Sequence, residues 1–368
     1  MEIKKIFMAE IKDLYKFFKN KKILITGHTG FKGSWLSLWL LKIGCDVVGI
    51  SKDIPTKPSN FDSFDLKNKI KNYFINIKNF DVIKKILIKE KPDIIFHLAA
   101  QAIVSESYKD PLNTIQSNTI GSINLLHAAS FLKKKCICIM ITSDKCYYNL
   151  EKKSGYKEEG LLGGKDMYSG SKAAAEIILN SYFHSFHKNN KKVLFCTARA
   201  GNVIGGGDWS KNRLVPDIMK AWGAKKKVII KNSQSVRPWQ HVLEPLYGYM
   251  KTAYYLNQKN ELNGQSFNFG PSYKKSYKVI ELIKQFEIFK KNKNQFIFKK
   301  NKNFKETKIL KLNSSKAYNK LKWKIKLSFK ETSLLIAEWY DNFFSKKNDL
   351  CNFSISQINY YEKKIENK

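Results

Sequence analysis

From Lys22 to Val203, short apolar runs alternate with longer stretches of helical period, and this alternation constrains the fold more than any other feature. ILIT precedes SWLSLWLLKIG, DVVGIS precedes FDVIKKILIKE, and DIIFHLAA precedes a helical pattern over 119–132. CICIMITS, a long helix beginning near Tyr168 and KVLFCTARAGNV complete the series. Strands separated by helices build βαβ units, which pair in parallel and need helices on both faces of the sheet. The predicted fold class is therefore α/β, a doubly wound parallel sheet with about six strands in place by residue 203. Residues 1–20 are predicted to be an N-terminal helical extension beside the first strand, with Ile11, Leu14, Tyr15, Phe17 and Phe18 as its apolar side. The sheet domain is placed at 21–203 with a return segment near 236–260, and a smaller C-terminal domain at 204–345. Within the latter, 290–310 carries one strand-like piece and 328–344 a closing amphipathic helix; 346–368 reads as a weakly packed tail.

A formal charge of +36 over 368 residues raises the question of nucleic acid. The lysines, however, are spread along the chain without a zinc knuckle, an RGG run or an aromatic RNP motif, so no nucleic-acid partner is expected. A lysine coat of this kind favours acidic small molecules. The six cysteines, Cys45, Cys136, Cys138, Cys146, Cys196 and Cys351, show no zinc spacing; buried reduced thiols and no metal are expected. No apolar run reaches the ~20 residues a membrane span needs and no signal peptide is visible, which predicts a cytoplasmic protein without a membrane partner.

Gly27, Gly30 and Gly33 form GxxGxxG in ITGHTGFKGSW, between the strand Ile23–Thr26 and a helix starting near Ser34. Glycines there permit a tight turn and bring backbone N–H groups to a pyrophosphate at a helix N-terminus. The context is that of a Rossmann-like dinucleotide site, with Thr29, Phe31 and Lys32 between the glycines. Where an acid usually holds the adenosine ribose, the second strand ends in VVGISKD and offers Ser51. That departure leaves NAD and NADP both open on the residues alone. Leu98, Ala99 and Ala100 in HLAAQ would let the backbone approach the cofactor, and Asn118 either holds the nearby turn or caps its helix.

Tyr168 and Lys172 form YxxxK on one helix face, where the ammonium lowers the tyrosine pKa and holds a nicotinamide ribose. With Ser143 in ITSDKCY they complete a triad that removes a proton from a carbinol as the cofactor takes the hydride. Asp144 and Lys145 follow at the mouth of the sheet, where ligands bind. Simple oxidation needs no further acid and base at this point, whereas loss of water beside a new ketone does.

These segments, together with PTKPSNFD, LGGKDMYSGSKAAAE, GNVIGGGDWSKNRLVPD and VRPWQHVLEPL, resemble the nucleotide-sugar 4,6-dehydratases of the extended short-chain dehydrogenase/reductase superfamily over nearly the whole chain. The Ser-Asp-Lys strand end is similar to the CDP-glucose branch, in contrast to the Glu of the dTDP-glucose branch. The resemblance implies NAD as cofactor, CDP-glucose as the nucleotide-sugar substrate, a homodimer or higher homo-oligomer, and a place in deoxysugar synthesis for lipopolysaccharide O-antigen. It also implies that Tyr168 takes the proton of the sugar 4-hydroxyl, that Lys145 or a water it holds removes the C5 proton, and that Asp144 protonates the departing 6-hydroxyl. Asn202, Arg213 and Arg237 are the substrate-binding candidates, Arg237 for the diphosphate. A nucleotide-sugar epimerase or decarboxylase sharing NAD and YxxxK is the competing enzyme reading; a catalytically silent NAD-binding or nucleic-acid-binding protein is a third.

Overall fold

A computed structural model describes residues 11–230, 233–272, 277–290, 296–298 and 310–366. Seven strands form the central sheet: β1 (Lys22–Thr26), β2 (Asp46–Ser51), β3 (Lys71–Phe74), β4 (Ile94–His97), β5 (Cys136–Ile141), β6 (Val193–Ala200) and β7 (Ser266–Phe269). Their order is β7-β6-β5-β4-β1-β2-β3, parallel throughout. The order reverses between β1 and β4, so the crevice beyond their C-terminal ends is where a ligand fits such a sheet.

Alternate side chains of β1, β2, β4, β5 and β6 feed different cores, which is why these strands read as apolar runs. Ile23, Ile25, Phe96, Ile139 and Cys196 belong to one core; Leu24, Ile95, Cys138, Met140 and Phe195 belong to the other. The helices that cover these faces include α1 (Phe31–Ile43), α2 (Phe80–Glu90), α3 (Gly121–Ala129), α4 (Met167–Tyr182), α5 (Leu214–Gly223) and α6 (Leu243–Gln258). Helix α1 ends at Gly44, whose φ of 93° is a left-handed conformation. Helix α4 starts at Asp166, whose carboxylate accepts the Ser169 amide at 2.9 Å.

The first core continues into the C-terminal third through Trp209, Ile218, Phe286, Ile336 and Trp339. Helix α7 (Phe329–Ser345) opens with a capping box between Ser328 and Glu331, close to the predicted 328–344. Of the strand-like piece expected within 290–310, a strand at Phe296–Phe298 pairs in parallel with Val228–Ile230; most of that segment lies outside the described residues, as do residues 1–10.

The end of the chain differs from the sequence reading. Residues 346–368 were expected to be a weakly packed tail, but α8 (Leu350–Glu366) is a packed helix that buries Cys351, Ile358, Tyr361 and Ile365. Glu362 on α8 accepts hydrogen bonds from Trp39 Nε1 and Lys42 Nζ of α1, both at 2.8 Å. The N-terminal helix over 11–18 joins the same corner, with Tyr15 bonded to Glu362 and Phe18 stacked near Phe96. All six cysteines are buried and unpaired, and no described helix is long and apolar enough to cross a membrane.

Candidate active site

The glycine turn sits between β1 and β4 with no room to spare. A Cβ on Gly27, where φ is 75°, would lie 2.7 Å from the Ala99 nitrogen; one on Gly33 would lie 2.1 Å from the Gly27 carbonyl oxygen. Helix α1 therefore starts hard against the turn, and no side chain caps it at Gly30. A helix N-terminus of this kind attracts a phosphate. Thr26 Oγ1 accepts the Ala99 amide at 3.2 Å and the Leu98 amide bonds to the Thr26 carbonyl, fixing the Leu98–Ala100 backbone beside the turn.

Ser51 is buried at the end of β2, and its hydroxyl is already engaged. It bonds His28 Nδ1 at 2.9 Å and accepts the Thr29 amide at 3.3 Å, while Thr29 Oγ1 donates to the Asp53 carbonyl at 2.7 Å. Ser51 thus braces the turn. Lys52, the cation in position for a 2′-phosphate, is exposed and pairs with Asp53 at 3.8 Å. Asn118 is fully buried and clamps a neighbouring loop: Oδ1 accepts the Gln101 amide at 2.8 Å, and Nδ2 donates to the Gln101 carbonyl and to Ser171 Oγ. Of the two readings of Asn118 the structure favours the turn, because the residue lies within a continuous helical segment away from its start.

Ser143, Asp144 and Lys145 follow β5 in a short 3-10 turn, Asp144–Cys146. The Ser143 hydroxyl donates to Asp144 Oδ1 at 3.0 Å and accepts the Lys145 amide at 3.2 Å. Tyr168, at the start of α4, is buried, and burial raises its phenol above the usual range; hydrogen bonding to Ser143 and the nearby Arg213 guanidinium oppose the rise. One turn along, the Lys172 ammonium is also buried and is lowered to about 8, mainly by desolvation.

Asp144 is 5% exposed, and desolvation raises its carboxyl above the ordinary value against the pull of Lys145 and Ser143. Its carboxylate fills the space beside Gly201, where a Cβ would come within 2.0 Å of Oδ2. Lys145 is half-buried on the same turn. Lys32 reaches into this cluster from α1: its Nζ is 3.5 Å from the Tyr249 hydroxyl, and burial, with Lys172 and Arg213 nearby, lowers it to about 7. Arg213 ties Asp208 Oδ2 to the Ala102 carbonyl, both at 3.2 Å, beside Tyr168. Asn202 follows β6 in a left-handed conformation, φ 49°, and its carbonyl accepts the Gln240 amide. Arg237 lies on a two-residue strand antiparallel to Tyr277–Lys278.

The motifs left Glu176, Arg199 and Tyr249 unmentioned. Glu176 had a legible signal, since it extends the Tyr168, Lys172 spacing by another four residues. Arg199 is a lone charge in an apolar strand, a pattern that demands a buried partner.

The chain matches the GDP-mannose 4,6 dehydratase family over residues 24–334. It belongs to that family. It is 38% identical over 328 residues to a CDP-glucose 4,6-dehydratase of Salmonella typhimurium, a match that covers 88% of this chain and 91% of that protein. A CDP-paratose 2-epimerase of Salmonella typhi is 26% identical, with 86% and 98% covered. Among solved structures, a UDP-glucose-4-epimerase of Stenotrophomonas maltophila superposes with a TM-score of 0.78 at 19% identity, covering 89% of this chain and all of that one. A dTDP-glucose 4,6-dehydratase of Bacillus anthracis gives 0.72 at 20% identity, covering 90% and 98%. These likenesses establish the fold.

Proposed function

We propose that this chain is an NAD-dependent hydro-lyase that converts CDP-D-glucose to CDP-4-keto-6-deoxy-D-glucose and water. The observation that carries the reading is the Ser143–Lys145 turn: a buried acid and a second cation follow the serine of an oxidation triad, and this turn faces Tyr168 and Lys172. An epimerase has no use for that extra pair. The 38% identity to a CDP-glucose 4,6-dehydratase favours the same substrate.

NAD, when bound, supplies the hydride acceptor for C4 of the sugar and the hydride donor for C6. The N-terminus of α1 and the Gly27–Gly33 turn would hold its pyrophosphate, and Lys172 its nicotinamide ribose. NAD is favoured over NADP because Lys52 is turned to Asp53 and Ser51 is engaged with His28. Tyr168 takes the proton of the 4-hydroxyl, assisted by Ser143 and the ammonium of Lys172. Asp144, whose carboxyl is raised by burial, gives its proton to the departing 6-hydroxyl, and Lys145, directly or through a water, removes the proton at C5, to which a proton returns as the hydride reaches C6. Arg213, Asn202 and Arg237 are the groups for the sugar nucleotide, with the guanidinium of Arg237 suited to the diphosphate.

The enzyme acts in the cytoplasm on a deoxysugar route that feeds lipopolysaccharide O-antigen, as a homodimer or larger homo-oligomer. Exposed Ile177, Ile178 and Phe186 on and just after α4 support self-association. Incubation with CDP-, dTDP- and GDP-hexoses tests the assignment. Loss of one water from CDP-glucose alone is the expected result, and turnover of another nucleotide sugar in its place would defeat it.

A further inference from the structure

Behind Lys172 lies a charged group that none of the catalytic steps above employs. Glu176, one turn further along α4, forms a bidentate ion pair with Arg199 of β6: Nε to Oε1 and Nη2 to Oε2, both at 2.9 Å. The two side chains are 2% and 3% exposed. All five guanidinium N–H donors are used, because Nη1 also donates to the Tyr147 hydroxyl at 2.6 Å and to the Glu158 carbonyl at 2.9 Å, and Nη2 to Ser266 Oγ at 3.1 Å. On the carboxylate, Oε1 accepts Thr142 Oγ1 at 2.5 Å, and Oε2 accepts Thr197 Oγ1 at 2.8 Å.

The placement of two of these partners matters most. Thr142 immediately precedes Ser143, and Tyr147 immediately follows Cys146, so the pair grips the segment holding Ser143, Asp144 and Lys145 at both ends. Removing a buried charge from water is costly, and a buried pair persists only where its geometry and remaining hydrogen bonds are complete, as they are here. We propose that the buried Glu176–Arg199 pair is the positioning element of this active site: it fixes the Thr142–Tyr147 segment against α4 and sets a carboxylate one turn from Lys172 on the same helix face.

Both parts have a structural basis. Tyr168, Lys172 and Glu176 share one face of α4, four residues apart, so whatever Glu176 holds is set relative to the two catalytic side chains. Glu176 on its own helix and Cys146 on the turn favour the charge of Lys172 against burial, and the ammonium in turn lowers Lys32 of α1 and His97 of β4. Burial holds His97 neutral, with its pKa lowered to about 3, and the Cys146 thiol is raised well above its usual range. Glu176 is therefore the charged group that supports the ammonium against the loss of water.

This inference rests on the catalytic roles proposed above, and the experiment separates the two. Enzyme charged with NAD is mixed with CDP-glucose in a single turnover from pH 6 to 10, and bound NADH and product mass are followed. If wild-type enzyme forms neither, the assigned reaction fails, whatever the ion pair does. Glu176→Gln removes the negative charge and keeps an acceptor for Thr142; the alkaline limb of NADH formation should move to lower pH by about half a unit or more. Arg199→Gln leaves the carboxylate uncompensated and should move the same limb upward. Thr142→Val keeps shape but cuts the tether to Ser143; NADH should then accumulate because elimination slows by about tenfold or more relative to oxidation. A merely structural pair would give lower melting temperatures with the limb unmoved and the ratio of steps unchanged, and that result overturns the proposal. Should either charge variant fail to fold, Thr142→Val alone decides the positioning part and Glu176→Asp, which keeps the charge, should retain the wild-type limb; displacement of that limb in Glu176→Asp overturns the charge part.

Discussion

Gly201 is the place where a single methyl group tests the acid assigned to Asp144. A Cβ there would sit 2.0 Å from Asp144 Oδ2 and 2.3 Å from Cγ, whereas ordinary contact begins at 3.4 Å. The neighbouring backbone is held by Gln240 Nε2, which donates to the Gly201 carbonyl at 3.1 Å and to the Phe269 carbonyl at 2.7 Å, so the side chain of Asp144 is what must give way. In Gly201→Ala the carboxyl must move by more than about 1 Å, and the Ser143 hydroxyl bond to Oδ1 at 3.0 Å is broken with it. A misplacement of that size costs on the order of 10²-fold in a step that depends on alignment, and overpacking costs about 1–3 kcal/mol of stability. The assay is a single turnover with CDP-glucose, reading reduced-nicotinamide absorbance and product mass, with Asp144→Asn as the comparator. Both variants should oxidise C4 and then stall, accumulating bound NADH and a 4-keto sugar that has lost no water. Wild-type elimination in folded Gly201→Ala would refute the claim that Gly201 sets the position of the acid. Failure of both variants to form NADH, with substrate still bound, would move Asp144 from elimination to the first step.

Further expectations follow from single groups. Tyr168→Phe removes the proton acceptor with little change in packing and should lower turnover by about 10²–10⁴-fold; near wild-type turnover in the folded variant excludes Tyr168 as the base. Lys145→Met should stall the reaction after oxidation and suppress exchange of the C5 proton with deuterated solvent, whereas continued exchange assigns that base elsewhere. Glu244 is fully buried and raised to about 7 by desolvation; the folded state holds its proton more tightly than the unfolded chain, so its contribution is intact below about pH 4.5 and lost as pH rises through about 7. In Glu244→Gln the amide oxygen keeps the Lys326 and Leu327 amides and the amide N–H₂ meets the Tyr361 hydroxyl, so the variant should gain up to about 3 kcal/mol on wild type between pH 5 and 8 in urea titrations; an unchanging difference would contradict the assignment. Nucleotide released by denaturing the purified protein should be NAD, and recovery of NADP would reverse the reading of Ser51 and Lys52.

The sheet was legible because β1, β2, β4, β5 and β6 are buried along almost their whole length and its helices are long enough to show their period. Strand β7 was not, since SFNF is four residues with a polar Ser266 and Asn268 that serve the Arg199 and Tyr147 network. Helix α8 was misread for a similar reason: Ser354 and Gln357 sit buried in its seam, bonding Trp339 Nε1 and the Leu335 carbonyl, so the inward face carries no continuous apolar stripe. In the site, the glycine turn and the Ser143, Tyr168, Lys172 set were readable because fixed spacing on known elements brings them together. For Glu176 and Arg199 the spacing and the lone charge were legible but the partner was not, and Gly201 gave no signal, because the Glu176–Arg199 and Gly201–Asp144 contacts span 23 and 57 positions of sequence that no local pattern encodes.

In the proposed reaction hydrogen leaves C4 and returns to C6 within one closed site while water departs between the two transfers. CDP-glucose carrying deuterium at C4 tests it most directly, with the product analysed by mass and by deuterium position. Deuterium is expected at C6 of a 4-keto-6-deoxy product. Deuterium lost to solvent, or retained at C4 of a sugar that has kept its 6-hydroxyl, would contradict it.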